Sequence, residues 1–197
     1  MKKQLFFLLL ICASIPLGAY PTHTPQLKAP IQNLYRLQET KQLLDEVEKQ
    51  GPITIRNAAM GAQASNAAWV PSERAIYINF SKQRTPGSLI TSIVFELHNA
   101  LSVKQFDYYD HLARTRKISK AQYIEAIERI EYVNARSASH ILAQGVRKGV
   151  FPQDAFWYIP NNFEQHFKIQ LQSGHSAHIG QMYDSIIQSS SYALARR

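Results

Sequence analysis

Cysteine is almost missing from this 197-residue chain. Cys12 is the only one, which excludes a disulfide framework and any cysteine-based metal cluster. Glycine and proline are sparse, at 8 and 9 residues. No repeat period or low-complexity tract appears, so collagen-like, solenoid and linker classes fall away. Basic residues exceed acidic ones, 22 against 14, yet they form no run of five or six. The densest group, Arg114, Arg116, Lys117 and Lys120, is too thin for a nucleic-acid groove, and no nucleic-acid partner is expected. Phosphate-binding glycine loops and dinucleotide fingerprints are absent, and Ser173–Gly174–His175 lacks the flanking glycines of a nucleophile elbow.

Long apolar runs are also absent, with one exception at the start. Residues 5–15 are apolar and follow Lys2 and Lys3, the layout of a signal peptide. The run is shorter than the roughly 20 residues a membrane helix needs, and Pro16 and Gly18 break it. The reading is a signal peptide over residues 1–19, cleaved after Ala19. An uncleaved anchor and a lipoprotein at Cys12 are the alternatives, the latter opposed by Ile11. Residues 20–30 then form a proline-containing leader, and residues 31–197 a single domain. The expected product is exported, periplasmic or secreted, with no membrane span after cleavage. It has no cysteine and must hold together by packing alone.

Apolar spacing predicts a helix over residues 31–50, with Leu34, Leu37, Leu44 and Val47 on one face and Gly51–Pro52 as its stop. Residues 53–56, Trp69–Val70 and residues 74–80 read as strands, the last alternating Ile76, Ile78 and Phe80 against Tyr77 and Asn79. Thr85–Pro86–Gly87 opens a helix to about Val103. Ser119 and Gln122 form a capping box for a second, running to about Arg147. Residues 151–172 are aromatic and carry no clear period. Phe156 and Phe163 read as core, while Trp157–Tyr158 divides evenly between core and groove. A closing helix follows Gly174. Strands early and helices late give an α+β fold, with a small N-terminal sheet packed on a mainly helical domain.

Two helices carry the chemistry. On the first, Ile90, Ile93, Val94, Leu97 and Leu101 make the core face, while Ser92, Phe95, Asn99 and Ser102 lie opposite, with Glu96 at the boundary. Phe95 is either exposed or covered by another element, and cover would make Phe95, Glu96 and Asn99 the lining of an inter-helix site. On the second, Ile124, Ile127, Ala135, Ala138 and Leu142 make the apolar stripe. Glu131 sits near its centre and Glu128 at its edge. A carboxylate placed there needs a partner or a cleft. It makes a structural hydrogen bond or a salt bridge to an arginine, with Arg56, Arg74 or Arg136 as the partners considered, or it is a metal ligand or general acid/base.

The strand Ala75–Asn79, followed by Phe95–Glu96–Leu97–His98–Asn99 on a helix and Glu131 on a later one, resembles the core of the zincin metallopeptidases. The resemblance covers roughly residues 32–145. It implies a helix on which two histidines one turn apart hold zinc, with a glutamate between them to activate water and a later glutamate as third ligand. Here Phe95 and Asn99 stand where the two histidines belong, and only Glu96 and Glu131 keep the family's residue types. His98 is one position out of register. The resemblance therefore implies a zincin-like fold whose catalytic zinc site is lost, leaving Glu96 without its chemistry.

The leading expectation is an exported pseudoenzyme, binding or structural, with no cofactor. Glu96, Asn99 and Glu131 would form a hydrogen-bonded cluster beneath Phe95, and a protein or peptide partner would occupy the old cleft. A metal-dependent hydrolase or peptidase with a rearranged site is the alternative. It needs zinc or another divalent cation on Glu131, Glu96 and an imported imidazole such as His175 or His98. His175 and His178 also form a His-x-x-His pair, read as a solvated loop feature or a metal site. A basic envelope-binding module that ignores the cleft is a third expectation.

Overall fold

The computed structural model describes residues 21–58, 65–80 and 84–195; the signal-peptide reading falls outside them. The fold is α+β and mostly helical. Strand β1 (Thr22–His23) is followed by α1 (Lys28–Arg36), α2 (Gln38–Glu48), β2 (Thr54–Ala58), β3 (Ala67–Val70) and β4 (Ala75–Asn79). Helices α3 (Pro86–Leu101), α4 (Val103–Arg114), α5 (Lys120–Arg147), α6 (Phe163–Ser173) and α7 (His175–Ala195) complete it.

The four strands lie in the order β1-β2-β4-β3. The first three are parallel, and β3 runs antiparallel to β4 as an edge. The interior place of β4 explains why it departs from simple alternation: Asn79 is buried and Phe80 is exposed beyond the strand's end. Pro71–Glu73 turns β3 into β4 through Arg74, whose φ of 46° is left-handed. The Arg74 guanidinium donates to the carbonyls of Val47 and Gly51, tying this turn to the end of α2. Thr22–His23, in the expected leader, pairs with β2 and belongs to the sheet.

The helix expected over residues 31–50 is two helices. Leu37 breaks it with extended backbone, φ −101° and ψ 124°. The buried Thr40 hydroxyl donates back to the carbonyls of Leu34 and Leu37, tying the end of α1 to the start of α2 across the break, where the Leu37 carbonyl also accepts from the Lys41 amide. Helix α3 begins as expected, with Thr85 as N-cap accepting from the Ser88 amide. The capping box of Ser119 and Gln122 opens α5. Helix α4 was not anticipated, because of its residues only Ala113 is fully buried and its polar sequence hides the period.

The apolar interior has two cores, and α3 belongs to the first. That core joins α3 to the sheet and to α1 and α2 through Leu34, Leu44, Ile55, Ile76, Ile93 and Leu97. The other packs α4, α5 and α7 around Ala113, Tyr123, Ile127 and Ile179. Helix α5, about 42 Å long at 1.5 Å per residue, reaches both: Ala138 and Leu142 belong to the first core, Ile127 and Ile130 to the second. Between those stretches its buried side carries Glu128, Glu131 and Asn134. That polar interval, at spacing i, i+3 and i+6, turns from α6 and α7, which Glu128 meets, to the polar side of α3, which Asn134 meets.

Candidate functional site

Helix α3 is covered on both sides, so Ser92, Glu96, Asn99 and Ser102 are buried. Glu96 Oε2 accepts from the Trp69 amide of β3 at 2.9 Å and from Asn99 Nδ2 at 3.1 Å. Asn99 Oδ1 accepts from Asn134 Nδ2 at 2.9 Å, and Asn134 Oδ1 accepts from the Ser102 hydroxyl at 3.0 Å. A single chain of hydrogen bonds therefore crosses from β3 through α3 to α5. Burial raises the Glu96 carboxyl to about 7, although the bonds from Asn99 and Trp69 pull the other way. The expected cluster thus forms with one change of membership. Asn134, one turn beyond Glu131 on α5, supplies the partner, and Glu131 is not in it.

Above this network a cleft of about 260 Å³ opens. Ala67 of β3, Phe95 and Glu96 of α3, Glu131 of α5, Trp157 and Tyr158, and His166 and His175 line it. The Phe95 ring stacks on Trp157, centroids 4.4 Å apart and planes at 19°. Cover, not exposure, is therefore the answer for Phe95. Tyr158 is 66% exposed at the mouth, and Phe156, expected in the core, is equally exposed. Prolines at 152 and 160 frame an irregular stretch in which successive side chains face different ways, and only Ala155 and Trp157 turn inward. Phe163 is buried as expected.

Of the sequence-derived cleft residues, Phe95, Glu96, Glu131 and His175 meet there, and Asn99 and His98 do not line it. Asn99 lies beneath, spent on Glu96 and Asn134. His98 has a buried Nε2 without a partner among the described residues, and burial lowers its imidazole to about 4. That follows from its register, roughly 100° from Asn99 around the helix.

His175, first residue of α7, is brought in by the left-handed turn at Gly174, φ 85°. Its Nδ1 lies 3.1 Å from Glu128 Oε1, and its Nε2 3.5 Å from Glu131 Oε2. The Ser176 hydroxyl donates to Glu128 Oε1 at 2.6 Å, and His166 Nε2 stands 3.5 Å from Glu128 Oε2. Burial raises the Glu128 carboxyl, but His166, His175 and Ser176 outweigh it and hold the group at about 2. Glu131 is raised to about 7 by burial, with His175 opposing and Glu128 and Glu96 adding to the rise. The hydrogen bond with Glu128 raises His175 against its own burial.

The depth order of the two glutamates is the reverse of expectation. Glu128 is fully buried, while Glu131 keeps 19% of its side chain open to the cleft. Neither pairs with an arginine among the described residues. Arg56 and Arg136 lie over the rings of Tyr77 and Tyr132, and Arg74 is bound to backbone carbonyls. Sequence reasoning missed His166 and Asn134. His166 follows Phe163 by three residues, a spacing that puts it on that residue's buried face. Asn134 continues the i, i+3 series of Glu128 and Glu131.

A zinc ion at the Phe95 and Asn99 positions does not fit these residues. Phenylalanine offers no ligand atom, and both amide atoms of Asn99 are engaged in buried hydrogen bonds. The cleft can instead hold a ligand between aromatic walls and two carboxyl groups of raised proton affinity. Compared with protein-family models, curated proteins and solved structures, the chain matches none of them.

Proposed function

We propose that the chain is an exported, zincin-like pseudoenzyme whose former zinc position is closed and whose cleft binds a peptide segment of a partner without hydrolysing it. The observation that carries the reading is the engagement of Asn99. Its Nδ2 donates to Glu96 and its Oδ1 accepts from Asn134, so the position of the second metal ligand is built into the packing of α3 on α5. The Phe95–Trp157 stack uses the first ligand position in the same way. Glu96, the residue that would activate water, is bound to the edge strand through Trp69.

The layout supports the zincin-like part in its order of elements: Ala75–Asn79 precedes the helix that carries Phe95 to Asn99, and Glu131 stands on a later helix across the cleft. Ala75–Asn79 is itself interior to the sheet, and the edge beside that helix is the antiparallel β3. The wall of Trp157 and Tyr158 supports the binding part. The exposed Tyr158 and the partly buried Trp157 supply contact area at low entropic cost, a common property of recognition surfaces.

The test uses the chain from residue 20, a random peptide library displayed on phage, and a fluorogenic peptide pool. Selected peptides are expected to bind, to resist cleavage, and to lose affinity for the Tyr158→Ala and Trp157→Ala variants. Tyr158 is exposed, so that variant keeps its fold. Hydrolysis of the pool by the unmodified chain, or binding indifferent to both substitutions, overturns the reading.

A further inference from the structure

The polar network of α3 leaves one cluster of the cleft unexplained: His166, Glu128, His175 and Glu131, from three helices. Glu128 Oε2 and His166 Nε2 are both buried and lack a hydrogen-bond partner, at 3.5 Å from each other. These side chains are 0% and 7% exposed. They face each other as an ion pair rather than a closed hydrogen bond, and His166 thereby backs Glu128 from the side away from His175. On the cleft side, His175 Nε2 and Glu131 Oε2 are also 3.5 Å apart, and no hydrogen bond from a described residue reaches the Glu131 carboxylate. Each of Glu128, Glu131 and His175 offers a ligand atom within 4.8 Å of the others.

The 3.5 Å spacing admits two explanations, and the second needs the further support of an outer carboxylate. A charge-assisted bond between an imidazolium and a carboxylate closes to about 2.7–2.9 Å. Two ligands of one tetrahedral ion, each about 2.0–2.1 Å from it, stand about 3.3–3.4 Å apart. The His175–Glu131 distance fits the second. The other ring nitrogen also matches, because a metal-bound histidine usually gives its remaining nitrogen to a carboxylate that fixes tautomer and orientation. Glu128 does this for Nδ1 at 3.1 Å, and is itself held by Ser176 at 2.6 Å.

We propose that His175 Nε2 and the Glu131 carboxylate hold a divalent transition-metal ion in this cleft, with Glu128 holding the imidazole from behind. The site is displaced from the Phe95 and Asn99 positions. Mixed nitrogen and oxygen donors select ions such as zinc, manganese or cobalt over calcium and magnesium, which prefer all-oxygen shells. Two protein ligands leave the remaining positions open to the cleft, where water or an oxygen donor of the bound peptide completes the shell. The inference takes the cleft as the binding site proposed above and names an ion as part of it.

The experiment strips the chain from residue 20 with chelator, titrates it calorimetrically with zinc and separately with manganese, and counts bound metal by elemental analysis. The His175→Gln, Glu131→Gln and His178→Ala variants run alongside, with circular dichroism to confirm folding. The unmodified chain and His178→Ala, altered at an exposed histidine, are expected to bind about one ion. The other two variants should lose it, weakening binding by more than the roughly 10–100-fold that removal of an outer partner alone costs. No binding by the unmodified chain at millimolar metal, or equal binding by all four proteins, overturns the site. Repeating the peptide assay in chelator separates the two ideas. Peptide binding without any metal site leaves the cleft reading standing, and metal binding without peptide does the reverse.

Discussion

Asn99 accepts at Oδ1 from Asn134 Nδ2 across 2.9 Å, and through that bond α3 and α5 share one buried polar chain. Replacing Asn134 by Leu leaves the Asn99 carbonyl oxygen and the Ser102 hydroxyl in a buried place without this partner. The expected cost is about 1–3 kcal/mol, the price of an unsatisfied buried group. Asn99→Leu should cost a similar amount. The double variant is expected to be less destabilised than the sum of the two, by about 0.5–3 kcal/mol. Urea denaturation of the four proteins measures this, and strict additivity would mean that the bond carries no weight.

The same residues show how far the sequence could be read. The faces of α3 were legible because Ile90, Ile93, Val94 and Leu97 repeat at helical spacing, and all four are fully buried. That its opposite face is buried too was signalled only by Phe95. Asn99 was legible as a departure from a pattern, but its partner was not, since Asn134 lies 35 positions away and nothing local joins them. The cap of α5 followed from Ser119 and Gln122. Helix α4 did not, because a helix burying one small residue leaves almost no period. His175 was noticed as half of a His-x-x-His pair, yet α7 sends His178 to solvent and His175 to Glu128. Which member turns inward is decided by how α7 packs on α5, a tertiary fact.

Glu96 gives the cleft a pH signature. Its carboxyl is raised by burial from 4.5 to about 7, so the folded state binds more protons than the unfolded state between those values. Stability contributed by this group is therefore full below pH 4.5 and lost as pH rises through about 7, by about 1.4 kcal/mol per pH unit. His98 acts oppositely. Lowered from 6.5 to about 4, it costs stability as pH falls from 6.5 towards 4. Between 4.5 and 6.5 the His98 slope opposes those of Glu96 and of Glu131, which burial also raises to about 7. Glu96→Gln is expected to flatten the fall of stability towards neutral pH, and His98→Leu to steepen it. Chemical denaturation of the three proteins from pH 4 to 8 measures both slopes, and parallel curves would refute the assignment.

Gly145 fixes how the chain leaves α5. A Cβ built there would lie 2.1 Å from the Phe151 ring, whose side chain is buried against the sheet-side core. Alanine, the better helix former elsewhere, should here displace Phe151 and the segment that carries Trp157. The expected loss is about 1–3 kcal/mol from overpacking, offset by at most about 1 kcal/mol of helix propensity. Thermal unfolding should show a lower midpoint for Gly145→Ala. A rise would mean that Phe151 moves aside freely.

Arg84 holds the wall of the cleft where β3 meets α3. Its guanidinium donates to the Asn66 carbonyl at 2.9 Å, the Ser88 carbonyl at 2.8 Å and the Ser92 hydroxyl at 2.6 Å, and Nε donates to the Ser88 hydroxyl at 3.1 Å. Asn66 and Ser92 both line the cleft, so the fork joins its strand side to its helix side. Lysine keeps the charge but presents its donors from one point and cannot span four acceptors in that plane. Arg84→Lys is therefore expected to lose about 1.5–3 kcal/mol, the range for hydrogen bonds made by a charged group. The loss should appear locally before it appears globally. Hydrogen exchange at the Trp69 amide, which Glu96 accepts at 2.9 Å, should speed up in the variant, while amides of α2 keep their rates. Unchanged exchange at Trp69 would mean that Glu96 alone fixes the edge strand, leaving Arg84 no part in shaping the cleft.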